Sequence, residues 1–302
     1  MVEDDVASRK TYRYLRIGIV GAVVLLGASV LVERSKVAPG CWQTSISAYY
    51  YTPARAVFVG ALMAIGLSLI VIKGNTGWED AFLNMAGMLA PVVALVPIGN
   101  PGTCWSIEPS PLPTLRNPVT GELELAAWVE QNIENNIQAL LWAGAAALLA
   151  AAVIAAVAFA VGARRGEQRT LADISRGPHR GTLLSLVGAL AFLVAGAVLF
   201  ATWDRFEENA HGLAAYAMFG CLAAAAVVNA LECRKFGLRW YVRLYGLIAV
   251  LMAAAALLIL VRNWDHKTLV LEIVEIGLFA GFWIVQTREL WHTTVRSSPA
   301  GG

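Results

Sequence analysis

Charge is scarce in this chain. Asp, Glu, Lys and Arg make up 15% of its 302 residues, against about 25% in a soluble domain. That deficit excludes an ordinary water-facing surface over most of the molecule. Histidine is scarce too: there are four, and no two stand at His-x-x-x-His spacing. The four cysteines form no Cys-x-x-Cys pair. Local spacing therefore marks no metal site. There is no Gly-x-Ser-x-Gly elbow, no phosphate-binding loop and no dinucleotide glycine fingerprint, so no cofactor is implied. The net charge of +2 gives no sign of a nucleic-acid partner.

Apolar residues are abundant, at 58% with a mean hydropathy of +0.62. They fall into eight segments: Tyr14–Val32, Ala56–Ile72, Ala81–Ile98, Ile137–Val161, Thr182–Trp203, Gly212–Leu231, Trp240–Val261 and Thr268–Thr287. About 20 apolar residues cross the hydrocarbon core of a bilayer. Lipid cannot hydrogen-bond a backbone, so each segment must be helical. The expected fold is an all-α, polytopic transmembrane helix bundle of eight spans in a plasma membrane. The basic N-terminus and the first apolar run resemble a signal peptide. The run continues too far, and Val32-Glu33-Arg34 is not a small-residue cleavage site, so it reads as a retained span.

Basic residues orient the bundle. With the N-terminus inside, sixteen of the 23 Lys and Arg residues fall on the inner side and seven on the outer. Both termini are expected in the cytoplasm, as residues 1–13 and 288–302. The basic loop Arg164–Arg180 then lies beside anionic headgroups. Eight of the ten Trp, including Trp42, Trp78, Trp240 and Trp291, stand at or near span ends, where an indole prefers the interface.

Residues 14–98 hold three spans and residues 137–287 hold five. Between them, residues 99–136 form the one long loop, expected outside. Pro101, Pro109, Pro111, Pro113 and Pro118 exclude regular helix from its first half. In Glu122–Asn136, Leu125, Val129, Ile133 and Ile137 recur at four-residue spacing, an amphipathic helix. Glu122 and Glu124 suit its first turn. This helix either extends the fourth span or lies across the outer face as a lid. The Ala-rich fourth span reads as a closely packed member of the bundle. Pro91 and Pro97 are expected to bend the third. Tyr51-Thr-Pro-Ala-Arg-Ala-Val-Phe58 and His211-Gly-Leu-Ala-Ala-Tyr-Ala-Met-Phe219 echo each other before the second and sixth spans, the trace of a four-plus-four internal repeat.

Polar residues at membrane depth need partners. Glu272 and Glu275 share one face of the eighth span, with Arg55 and Arg262 at similar depth. They form either a structural ion pair or an outer polar pocket, together with Ser45 and Tyr51, that binds a lipid or small molecule. Ser47 is a candidate nucleophile, and His211 is the base it would need. His211 and His266 with Asp204, Glu207, Glu208 and Asp265 could make a metal site in chemical terms, but they stand on separate loops without ligand spacing, and no metal is expected. Cys41 and Cys104 both fall outside, where a disulfide is stable; Cys221 falls mid-membrane and Cys233 inside.

Three stretches carry a resemblance: Ser45–Gly60, Gly77–Gly87 with Ala90–Pro97, and Phe282–Trp291. Together they resemble a group of bacterial, often actinobacterial, polytopic membrane proteins with no settled activity. A more distant similarity is to the CREST superfamily of membrane hydrolases and receptors. Its signature places a zinc-ligand His four residues after a Ser, and a His pair near the last span. Ser47 matches, but Tyr51 stands at the His position, and Glu272 and Glu275 stand where the His pair would be. The resemblance implies the fold more than zinc hydrolysis. The function expected is binding of a lipid or small molecule, or service as an accessory subunit to another membrane protein. A CREST-like lipid hydrolase and a proton-coupled carrier using Glu272 and Glu275 are the alternatives.

Overall fold

The computed structural model describes residues 2–99, 101–118, 121, 123–164, 180–203, 206–261, 264–293 and 296. Among them are eight α-helices: α1 (Val2–Arg34), α2 (Arg55–Val71), α3 (Gly77–Leu95), α4 (Ala127–Arg164), α5 (Arg180–Thr202), α6 (Phe206–Lys235), α7 (Arg239–Val261) and α8 (Lys267–Glu289). Each expected apolar segment overlaps one helix. Five helices, α1, α4, α6, α7 and α8, carry stretches long and apolar enough to cross a membrane; α2 and Leu186–Thr202 of α5 are shorter apolar helices.

Local chemistry sets the ends. Thr76 caps α3, its hydroxyl accepting the Glu79 N–H at 3.1 Å. At the other end Val96 is extended, as the residue before Pro97 must be. Pro91 lies inside α3, whereas Pro97, expected to bend the same span, lies beyond its end.

The long loop departs from expectation in two ways. Its amphipathic segment is the first part of α4, a single helix of 38 residues. Val129, Ile133 and Ile137 are its buried stripe, so the four-residue spacing marks the face correctly and the segment extends the helix. The helix starts only at Ala127, because the residues before it pair as a hairpin: β1 (Thr114–Arg116) lies antiparallel to β2 (Leu123–Leu125). Glu124 therefore belongs to a strand and accepts the Asn117 side-chain amide at 2.7 Å. Glu122 lies outside the described residues.

Six helices close a ring. α1 packs on α2, α2 on α3, α3 on α6, α6 on α7, α7 on α8, and α8 returns to α1. The ring does not follow a division into α1–α4 and α5–α8. Instead, α4 and α5 pack on each other outside the ring, against α3 and α6. The apolar window of α4 is not buried at all. The expected close packing of this Ala-rich helix is thus limited to one side, as at Gly144, where an added Cβ would lie 2.8 Å from Leu193.

Small residues matter more where α2 crosses α3. A Cβ on Gly66 would lie 2.8 Å from the Gly87 carbonyl, and one on Gly87 would lie 2.7 Å from the Gly66 carbonyl. These are backbone atoms, so neither helix can yield cheaply. Gly66→Leu or Gly87→Leu should lower stability by about 1–3 kcal/mol, read as a lower midpoint of thermal unfolding in detergent. Gly60→Leu, where a Cβ meets nothing within 4 Å, should leave the midpoint unchanged.

Candidate functional site

Buried polar residues collect at both ends of the ring. At the first end the α1–α2 connection turns inward. Cys41 is disulfide-bonded to Cys104, with Cα atoms 5.6 Å apart, which ties that connection to the long loop. The Gln43 amide donates to the Cys104 carbonyl at 2.9 Å. Gly102 has φ +67°, and a Cβ there would lie 2.0 Å from Gln43 Oε1, so glycine is required. The Leu269 N–H donates to the Thr44 carbonyl at 3.1 Å, which joins the segment to the start of α8.

Residues Ser47–Tyr51 then form a buried 3₁₀ turn with no side-chain cap of its own. Glu272 of α8 supplies the cap. Its Oε2 accepts the Ile46 N–H and, at 3.4 Å, the Ser47 N–H. Its Oε1 accepts the Ser47 hydroxyl at 2.9 Å. A carboxylate at the first free N–H groups of a helical turn is electrostatically favourable, and more so where water is excluded. Ser45 Oγ accepts the Ala48 N–H at 2.9 Å. The Tyr51 hydroxyl donates to the Ile98 carbonyl at 2.9 Å. Burial, and then the neighbouring Tyr50, push the Tyr51 phenol above its usual pKa, so it stays a neutral donor.

The sequence-predicted residues therefore divide. Ser45, Ser47, Tyr51 and Glu272 belong to one buried hydrogen-bonded segment. Arg55 does not pair with either glutamate: it is exposed, and it donates to the Tyr50 hydroxyl at 2.5 Å and lies 4.2 Å from that ring's centroid. Glu272 takes backbone partners instead, because Ile46 and Ser47 bring unpaired N–H groups to it. Glu275 is buried, and its Oε2 has no hydrogen-bond partner among the described residues. Arg262 and Asp204 lie outside those residues, as do the side chains of Glu207 and Glu208. His211 makes no hydrogen bond to Ser47, whose hydroxyl donates to Glu272; its Nδ1 is 2.6 Å from the Val96 carbonyl, which ties the start of α6 to the end of α3, and its Nε2 has no hydrogen-bond partner among the described residues. His266 Nδ1 lies 3.3 Å from the Gln43 carbonyl. No group of three His, Cys, Asp or Glu side chains able to hold a metal ion occurs among the described residues.

The space below Ser47 and Glu272 is a cavity of about 40 Å³, walled by apolar residues such as Phe58, Leu69, Met218 and Phe279. That holds about one or two waters, far below the size of a lipid or drug-like pocket.

The second polar site, at the opposite end of the ring, was not anticipated. Arg296, beyond the end of α8, is buried there. Its Nε donates to Glu289 Oε1 at 2.5 Å, and its Nη2 donates to Glu289 Oε2 at 2.9 Å and to Asn229 Oδ1. Glu289 also accepts from the Tyr245 hydroxyl at 2.6 Å and from Cys233 Sγ at 3.2 Å. Burial works against the Arg296 charge, but the hydrogen bonds and charge of Glu289 outweigh it and hold the pKa above its ordinary value. The Gln286 amide donates to Glu79 Oε1 at 2.7 Å, and Glu79 Oε2 accepts the Asn75 N–H at 2.7 Å. Asn229 and Gln286 could have been flagged in the sequence as polar residues inside apolar runs. Arg296 sits in a short polar tail, and nothing local marks it.

No protein-family model, curated protein or solved structure matches this chain. Its function must be read from this geometry.

Two substitution series test the sites, each read as a thermal midpoint of the purified protein. Glu272→Ala leaves the Ile46 and Ser47 N–H groups unpaired and should cost about 1–3 kcal/mol per orphaned group. Glu272→Gln keeps an acceptor and should cost less. Arg296→Ala strands Glu289 and should cost about 3–5 kcal/mol, whereas Arg296→Met with Glu289→Met should be milder, because no uncompensated charge remains.

Proposed function

We propose that this chain is a multi-pass protein of a bacterial plasma membrane. In this reading all eight helices cross, both termini are cytoplasmic and the disulfide end faces outward. The five long apolar helices and the sixteen-to-seven division of basic residues support it. Its function is to bind a lipid or a comparably apolar small molecule, without chemistry.

One observation carries the binding reading. A cavity of about 300 Å³ lies between the ring and the outer pair α4 and α5. Its lining is apolar throughout, with Leu89 and Val92 of α3, Leu141 of α4, Phe192 of α5 and Ala214 of α6 among it. Ligand sites begin at about this volume, and a lining without polar groups suits an acyl chain or an apolar ring system. We place the binding site in this lateral cavity in preference to the outer polar pocket expected around Arg55 and Glu272, because Arg55 bonds Tyr50 and Glu272 bonds Ile46 and Ser47. The hydrolase has less in its favour, since the Ser47 hydroxyl donates to Glu272 and makes no hydrogen bond to His211. The exposed face of α4 leaves room for a membrane-protein partner.

The carrier reading has one observation in its favour. α8 bears Glu272 and Glu275 near one end and Gln286 and Glu289 near the other, with Phe279, Phe282 and Trp283 buried between. Proton flux into liposomes that falls on Glu275→Gln would favour it.

Topology and binding are tested together. Single cysteines at Glu122 and Arg169, in a background lacking Cys221 and Cys233, should react with an impermeant reagent from outside at Glu122 only; the reverse pattern defeats the orientation. Purified wild-type protein should retain a stoichiometric apolar molecule by mass spectrometry, and Ala214→Trp, which fills the cavity, should lose it. A wild-type protein as empty as the variant would end the binding reading.

A further inference from the structure

We propose that the groove between α1 and α8, at the end that carries Arg296, binds one anionic phospholipid. The inference rests on the membrane reading above but concerns a different surface from the apolar cavity. The groove has a volume of about 770 Å³. Ile17, Gly21 and Val24 of α1 and Ile284 of α8 form apolar walls, and Arg288 and His292 stand at its end. From Ile17 to Val24, α1 rises about 10 Å, a strip along which an acyl chain can lie.

The polar end is built for a headgroup. Arg288 is exposed and makes no hydrogen bond or ion pair with the described residues. Its neighbours are committed elsewhere. Arg13 donates to the Trp291 carbonyl at 2.5 Å and lies 4.1 Å from the centroid of that indole. Arg296 is paired with Glu289. Arg13 thereby fixes Trp291 at the mouth of the groove, at the depth where an indole meets headgroups. Among the described residues no carboxylate lines the groove, and Glu289, next in the chain, is paired with Arg296. A guanidinium so placed at the end of an apolar groove complements a phosphodiester that carries net negative charge. A zwitterionic headgroup brings its own cation to Arg288 and loses that advantage.

The test uses the purified full chain in a neutral detergent. Dioleoyl phosphatidylglycerol and dioleoyl phosphatidylcholine are added in separate titrations, and bound lipid is counted by native mass spectrometry. The wild-type protein should retain phosphatidylglycerol in preference to phosphatidylcholine. Arg288→Gln should lower phosphatidylglycerol retention about fivefold, the value of one cation beside an anionic headgroup, and leave phosphatidylcholine unchanged. Gly21→Phe should lower retention of both lipids by filling the groove. A Cβ at Gly21 meets nothing within 4 Å, so that variant should fold. Equal retention of the two lipids by the wild type, or an unchanged Arg288→Gln, overturns the site and leaves the membrane reading intact. Recovery of the chain from the soluble fraction instead of washed membranes would remove both.

Discussion

The segment between α1 and α2 enters an apolar interior with backbone N–H groups that its own 3₁₀ turn cannot pair, and Glu272 accepts two of them. An unmet donor in such a place costs about 1–3 kcal/mol. A carboxylate can accept several donors at once, so one side chain satisfies Ile46, Ser47 and the Ser47 hydroxyl together. This contact fixes how α8 sits against the inward-turned segment. The Thr44–Leu269 backbone bond and the Cys41–Cys104 disulfide then hold the same segment from two further sides. Removing the carboxylate would leave the Ile46 and Ser47 N–H groups without an acceptor inside the bundle.

The opposite end solves a related problem with opposite charge. There Glu289 is the buried carboxylate, and Arg296 returns from beyond α8 to neutralise it. Asn229, Tyr245 and Cys233 complete the shell from α6 and α7. A buried ion pair is weak evidence of net stabilisation, but breaking one is costly. Arg296 is therefore a structural part of the ring, although it lies outside every apolar segment. Between the two polar ends, Phe279, Phe282 and Trp283 pack with Tyr245 in edge and tilted contacts, so α8 alternates polar, aromatic and polar layers along one buried face.

The ring and the outer pair divide the molecule into a closely packed part and an open one. Inside the ring, space shrinks to a cavity of about 40 Å³. Between the ring and α4 and α5 it opens to about 300 Å³. The difference follows from the side chains. Gly66 and Gly87 let α2 and α3 touch backbone to backbone, while α5 meets α3 and α4 through bulkier groups such as Phe192 and Leu193. Capacity for an apolar ligand thus lies beside the ring.

Hydropathy and periodicity are properties of neighbouring residues, so they were enough for what is local. They placed a helix in each of the eight apolar segments, the buried stripe Val129–Ile133–Ile137 at the start of α4, and the pair Cys41 and Cys104. They missed the hairpin that delays α4 to Ala127, because three-residue strands carry too short a pattern to read. Tertiary structure alone decided the order of the ring, the exclusion of α4 and α5 from it, and the partners of Glu272, Glu289 and Arg296. Glu272 reaches Ser47 across 225 residues and Arg296 reaches Asn229 across 67. Cost of burial can announce from the sequence that Glu272 and Glu275 need partners. Which groups meet them depends on distances through space, and those are set only when the helices pack.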